Sequence, residues 1–207
     1  MNRFHSWYCK SGHWKRTVEG QILPWALDGI DLGDSVLEVG PGPGVTTDWL
    51  RYRAKHVECL EIDNALAASL ERRFSASNVT VRCGDATAMP YEDGRFASVV
   101  SFTMLHHIPT PERQDRFFKE AYRVLRPGGV FAGVDSLPSI LMSISHIRDT
   151  LTLVAPDTIA QRLTSAGFAD ARVDVGPDRF RFSARHPLDP AAHLPARACA
   201  AIGSRTS

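Results

Sequence analysis

The sequence predicts an α/β fold: a doubly wound, seven-stranded sheet, mostly parallel, with one antiparallel strand near the C-terminus. Three observations carry this. From Asp34 onward, strand-like and helix-like segments alternate along the chain. Phe96–Phe102 is a continuous apolar run, as expected of a strand buried on both faces. Ala171–Val175 and Arg179–Ala184 are separated only by Gly176-Pro177-Asp178, a span that permits a hairpin and no crossover.

The elements follow in order. Ser35–Val39 is a short apolar strand that runs into a glycine-rich turn, and Thr46–Tyr52 is the helix the turn introduces. His56–Ile62 is the second strand, Ala65–Phe74 the second helix and Val79–Cys83 the third strand, closed by Gly84-Asp85. Phe117, Phe118, Ala121, Tyr122 and Leu125 give Pro111–Leu125 the spacing of an amphipathic helix, which Pro127-Gly128-Gly129 stops. Val130–Asp135 is the fifth strand, and a less regular stretch, Ser136–Ala155, follows it. Pro156 opens a helix that ends near Gly167, with proline in its first turn and glycine at its end. The chain thus divides into a helical N-terminal cap or lid over residues 1–33, the main domain over 34–185, and a Pro- and Ala-rich tail over 186–207 read as flexible. The N-terminal part is rich in aromatics (Phe4, Trp7, Tyr8, Trp14, Trp25), which suits a helix packed on the sheet edge or a lid over a substrate mouth.

Bulk properties narrow the function classes. At 207 residues the chain is long enough to bury a full α/β core. The net charge is +1 with both signs dispersed, so no nucleic-acid stripe or anionic-membrane surface is indicated. No apolar run of membrane-spanning length occurs, and Met1–His5 lacks the apolar core of a signal peptide. Cys9, Cys59, Cys83 and Cys199 form no Cys-x-x-Cys pair, so a reduced cytoplasmic location is the default and zinc is not expected.

The chemistry concentrates at strand ends. Gly40-Pro41-Gly42-Pro43-Gly44 lets backbone approach a ligand with no side chain in the way. Glu61, about 20 residues on at the end of the second strand, stands where a carboxylate can hold a ribose diol. A glycine run alone is weak evidence, but glycines and an acidic strand end within one βαβ frame are much stronger.

Four motifs in order, Val36–Gly44, Leu60–Asp63, Gly84-Asp85-Ala86 and Leu125-Arg126-Pro127-Gly128-Gly129, resemble the Rossmann-like class I S-adenosylmethionine-dependent methyltransferases. Phe102–Ile108 resembles the family's segment after strand four, and the likeness spans roughly Ser35 to Ala184. A dinucleotide-binding fold is the runner-up, but it lacks the third downstream glycine and does not predict the last motifs. The resemblance implies S-adenosylmethionine as cofactor, with Gly40, Gly42 and Gly44 passing beside its methionine and ribose. It also implies that Glu38 helps hold the amino-acid end, directly or through water, and that Glu61 accepts both ribose hydroxyls. Ile62 would pack on adenine, Asp85 would accept from its amino group with the Ala86 N–H beside the ring, and the Phe102 carbonyl would meet the ammonium.

A methyl acceptor with a hydroxyl needs a base where the carboxyl ends of strands four and five face the methyl group. His106, His107 and Asp135 fall there, and His146 lies in the irregular segment beyond. His146 is the preferred base because an unperturbed imidazole titrates near working pH, with Asp135 and His107 as the other catalytic candidates. An Asp135/His146 pair has ligands suited to a divalent ion, although no metal is indicated. These features favour O-methylation of a small molecule such as a sugar or polyketide, with no nucleic acid or membrane partner. C- or N-methylation of a quinone-like or amine metabolite is the alternative, and an inactive cofactor-binding module is the third reading. The aromatic N-terminus could also bury itself in a homodimer.

Overall fold

A computed structural model describes residues 11–137 and 151–188. Seven strands form one sheet in the order β3-β2-β1-β4-β5-β7-β6. They are β1 (Ser35–Val39), β2 (His56–Glu61), β3 (Val79–Cys83), β4 (Phe96–Phe102), β5 (Leu125–Ser136), β6 (Ala169–Val175) and β7 (Arg179–Arg185). Strands β1 to β5 pair in parallel, and β7 inserts antiparallel between β5 and β6. This is the mostly parallel sheet with one late antiparallel strand that the sequence predicts. The order reverses direction between β1 and β4, which opens a crevice at the carboxyl ends of those two strands.

Alternation along β1 explains how the sheet is covered. Leu37 and Val39 face one apolar cluster with Phe117, Phe118, Phe131, Ile159 and Leu163. Val36 faces the other, with Leu50, Leu70, Phe74 and Val100. The first cluster packs helices α5 (Pro111–Val124) and α6 (Pro156–Ser165), and the second packs α3 (Val45–Leu50) and α4 (Asn64–Phe74). Side-chain caps satisfy first amides at α4, where Asp63 accepts from Ala65 and Leu66, and at α5, where Thr110 accepts from Arg113.

The N-terminal segment runs as α1 (Gly12–Thr17), a π-helical turn (Val18–Ile22) and α2 (Leu23–Ala26). Val18, Ile22, Leu23 and Ala26 are buried in the second cluster beside Val36, Val100 and Phe102. The segment therefore packs on the sheet, sharing a cluster with the central strands while the Trp25 carbonyl accepts from Arg181 of β7.

Several boundaries differ from expectation. Strand β5 begins at Leu125, five residues before the expected Val130, because Leu125 is buried and pairs with Phe96. The register then jumps from Phe96/Leu125 to Ser98/Val130, so the chain bulges at Pro127-Gly128-Gly129. A bulge accommodates a proline without an N–H and Gly128 at φ +80 inside a strand. At the other end, His186 exchanges backbone hydrogen bonds with Gly128 and Gly129 and stacks on Tyr122. The described residues include 186–188 of the stretch read as tail. Among the described residues no helix is long and apolar enough to cross a membrane.

Candidate active site

A cleft of about 430 Å3 opens at the carboxyl ends of β1, β2 and β4. Of the nine residues expected to hold the cofactor, seven line it: Gly40, Gly42, Glu61, Ile62, Asp85, Ala86 and Phe102. Glu38 and Gly44 do not.

The three glycines of the turn do different work. Gly42, at φ +54, has nothing within 4 Å of where a Cβ would stand, so its open side is the cleft itself. A Cβ on Gly40 would stand 2.3 Å from Cγ of Met104, which lies against the turn. Gly44, at φ +80, caps α3, and a Cβ there would stand 2.6 Å from Leu70 of α4. Gly44 is required by packing, and Gly42 by the cleft.

Glu38 sits beneath the turn, 1% exposed, and accepts from the hydroxyls of Thr46 and Thr47 (the latter at 2.6 Å) in the first turn of α3. Burial pushes its carboxyl above the ordinary 4.5, and the Thr46, Thr47 and Cys59 contacts only partly oppose that. Thr46 reaches the cleft wall, so Glu38 acts on the cleft through the helix it anchors.

Glu61 is buried and oriented by backbone. Its two oxygens accept from the N–H groups of Gly42 and Asp63, each at 3.0 Å. A carboxylate has about four acceptor sites, so each oxygen keeps one, and together they match the two hydroxyls of a ribose diol. Ile62 is 68% exposed despite its apolar side chain and its place in the cleft, as suits a surface awaiting a flat apolar partner.

Asp85 has one acceptor site to spare. One oxygen takes the N–H and hydroxyl of Thr87 (2.8 and 2.9 Å), and the other takes Arg113 at 2.6 Å. That leaves a single site on the Arg113 side, enough for one amino N–H. Burial pushes the carboxyl up, but the Thr87 donors and Arg113 outweigh it and hold the group below its ordinary value. Arg113 comes from the first turn of α5 and also lines the cleft.

The catalytic candidates gather beyond β4 and at the end of β5. His106 and His107 lie in a 3-10 turn, Leu105–His107, with ring centroids 4.2 Å apart. His106 is buried, and its Nδ1 meets a carboxylate oxygen of Asp135 at 2.5 Å. Asp135 also accepts the backbone N–H groups of His106 (3.1 Å) and Ser136 (2.6 Å). His107 lines the cleft, whereas Asp135 and His106 stand behind it. The turn is held from outside by Gln114, which donates to the Leu105 carbonyl, and by the Thr152 N–H, which donates to His106. His146 lies outside the described residues, and Asp135 is engaged with His106. Among the described residues no group of three or more His, Cys, Asp or Glu could hold a metal ion.

Trp14, Val18 and Ile22 form one wall of the cleft. In an α-helix, residues eight apart drift by about 80° around the axis. The wider π turn, in which the Leu23 N–H reaches the Val18 carbonyl, takes back part of that drift and keeps the three side chains on one side. Neither this turn nor the part played by Arg113 and Thr46 was legible in the sequence, since each depends on backbone conformation or on contacts across the fold.

Comparison with known proteins finds likenesses to methyltransferases. Residues 37–133 match the family model described as a methyltransferase domain. The chain is 31% identical over 198 residues to erythromycin 3''-O-methyltransferase of Saccharopolyspora erythraea, a match covering 80% of this chain and 63% of that protein. It is 28% identical over 184 residues to the chloroplastic 2-methyl-6-phytyl-1,4-hydroquinone methyltransferase 2 of Oryza sativa subsp. japonica, covering 86% of this chain and 51% of that one. The chain thus spans about half to under two thirds of the length of these relatives. Its fold matches that of N-methyltransferase NodS from Bradyrhizobium japonicum WM9 in complex with S-adenosyl-L-homocysteine. There the TM-score is 0.68 at 16% identity, over 87% of this chain and 91% of the other. Residues 37–133 thus resemble the methyltransferase domain of that family model, on a fold shared with solved methyltransferase structures.

Proposed function

We propose that this protein binds S-adenosylmethionine and transfers its methyl group to a hydroxyl of a small molecule. The observation that carries this is His107 in the cleft wall, backed by the buried His106–Asp135 pair. The residues present fit the cofactor: open space at Gly42, two spare acceptors on Glu61, one on Asp85, and the exposed face of Ile62. The similarity to an O-methyltransferase over most of this chain supports the same reading.

When bound, the cofactor supplies a methyl group on a sulfonium, an electrophile that needs no further activation. The chain's own tasks are to hold it, align an acceptor, exclude water and take up a proton. Gly40, Gly42, Glu61, Ile62, Asp85, Ala86 and the Phe102 carbonyl do the holding. Glu38 and Gly44 shape the turn from behind. Trp14, Val18 and Ile22 form a dry wall. His107 accepts the acceptor's proton, while Asp135 fixes the neighbouring His106 ring, which lies tilted at 42° to that of His107. His146 is the rival base, and a metal ion held by Asp135 and His146 has no support among the described residues.

The apolar wall favours a second reading, methylation at carbon of a quinol-like acceptor, which the likeness to a hydroquinone methyltransferase also supports. Incubation with methyl-labelled cofactor and a panel of hydroxylated and quinol acceptors separates the two by the position of label in the product. His107→Ala and His146→Ala, compared side by side, identify the base; unchanged turnover in His107→Ala removes His107. Calorimetry showing no S-adenosylhomocysteine binding would favour an inactive module.

A further inference from the structure

Thr103 carries the sharpest backbone conflict in the cleft. It follows β4 at φ +52, a left-handed conformation that a β-branched residue adopts only against steric resistance. Glycine would take it freely. The conformation is pinned by the Thr103 N–H, which donates to the Val134 carbonyl of β5 at 2.7 Å. The side chain is half-buried and lines the cleft, yet its hydroxyl has no hydrogen-bond partner among the described residues. A strained residue on the wall of a cleft, with a hydroxyl that no described residue engages, marks a functional position.

Its neighbours say which end of the ligand it meets. Phe102 precedes it, and Met104 after it lies against Gly40 of the glycine turn. The adenine end, marked by Ile62, Asp85 and Arg113, belongs to other elements of the cleft. We propose that the Thr103 hydroxyl is a binding group for the amino-acid end of the cofactor, where it can donate to a carboxylate or accept from an ammonium. This rests on the cofactor reading above.

The test is calorimetry with S-adenosylhomocysteine and with 5'-methylthioadenosine, which lacks the amino acid. Thr103→Val keeps the shape and the strain but removes the hydroxyl. It should weaken S-adenosylhomocysteine about tenfold, the scale of a hydrogen bond to a charged group. Methylthioadenosine should bind it as it binds the wild type. Thr103→Ser should restore the affinity. Thr103→Gly should lose it with no fall in thermal midpoint, which separates binding from folding. Thr103→Val binding S-adenosylhomocysteine like the wild type, or weakening both ligands equally, overturns the proposal. Wild-type protein that binds neither ligand overturns the cofactor reading itself, and the assignment with it.

Discussion

Gly42 and Gly44 stand two residues apart in one turn, and their alanine variants should fail in opposite ways. Both glycines have positive φ, +54 and +80, where an L side chain costs about 1–2 kcal/mol. At Gly44 the new methyl would also stand 2.6 Å from Leu70 Cδ2 and 3.2 Å from Phe74 Cε2. Such overpacking adds about 1–3 kcal/mol. Stiffening the unfolded chain destabilises it and returns about 0.4–1 kcal/mol to each variant. Gly44→Ala should therefore lose about 2–4 kcal/mol, and Gly42→Ala about 1 kcal/mol or less. At about 2–4 °C per kcal/mol for a chain of this size, Gly44→Ala should melt about 4–16 °C lower and Gly42→Ala at most about 4 °C lower. Binding should run the other way. A methyl group at position 42 would fill the open space beside Glu61, so Gly42→Ala should weaken S-adenosylhomocysteine at least about tenfold, the cost of one lost charge-assisted contact. Gly44→Ala, measured below its midpoint, should bind within a few-fold of the wild type. Thermal scans and calorimetry on both variants decide it. Equal melting losses together with equal binding losses would refute the division of labour in the turn.

Glu38 gives a pH test. Burial raises its carboxyl above 4.5, so the folded state favours the protonated form. Its contribution is fully present below the unfolded value and is lost as pH rises through the folded one. Denaturant unfolding from pH 4 upward should show the wild type losing ground to Glu38→Gln as pH rises; parallel curves would contradict this. Asp135→Asn should leave S-adenosylhomocysteine affinity unchanged but cut labelled-methyl transfer by about two orders of magnitude, the low end of the roughly 10²–10⁴-fold a positioned base contributes. Undiminished transfer would take the His106–Asp135 pair out of the chemistry.

Most of the fold could be read from local pattern, because apolar runs such as Phe96–Phe102 and glycine punctuation report burial and turns directly. The start of β5 could not, since pairing of Leu125 with Phe96 depends on where another strand lies. At the site, Glu61, Asp85 and Gly42 were legible as residue types at fixed spacing. Gly44 was read as a cofactor contact, but its conformation and its contact with Leu70 put it behind the turn. Glu38 was legible as important and not as buried. Arg113 and the conformation of Thr103 left no local trace: one reaches Asp85 across 28 residues of chain, the other is a backbone angle.

Ile62 keeps 68% of its surface in water at the rim of the cleft. Covering it removes apolar area from solvent, so ligand capture should carry a negative heat-capacity change.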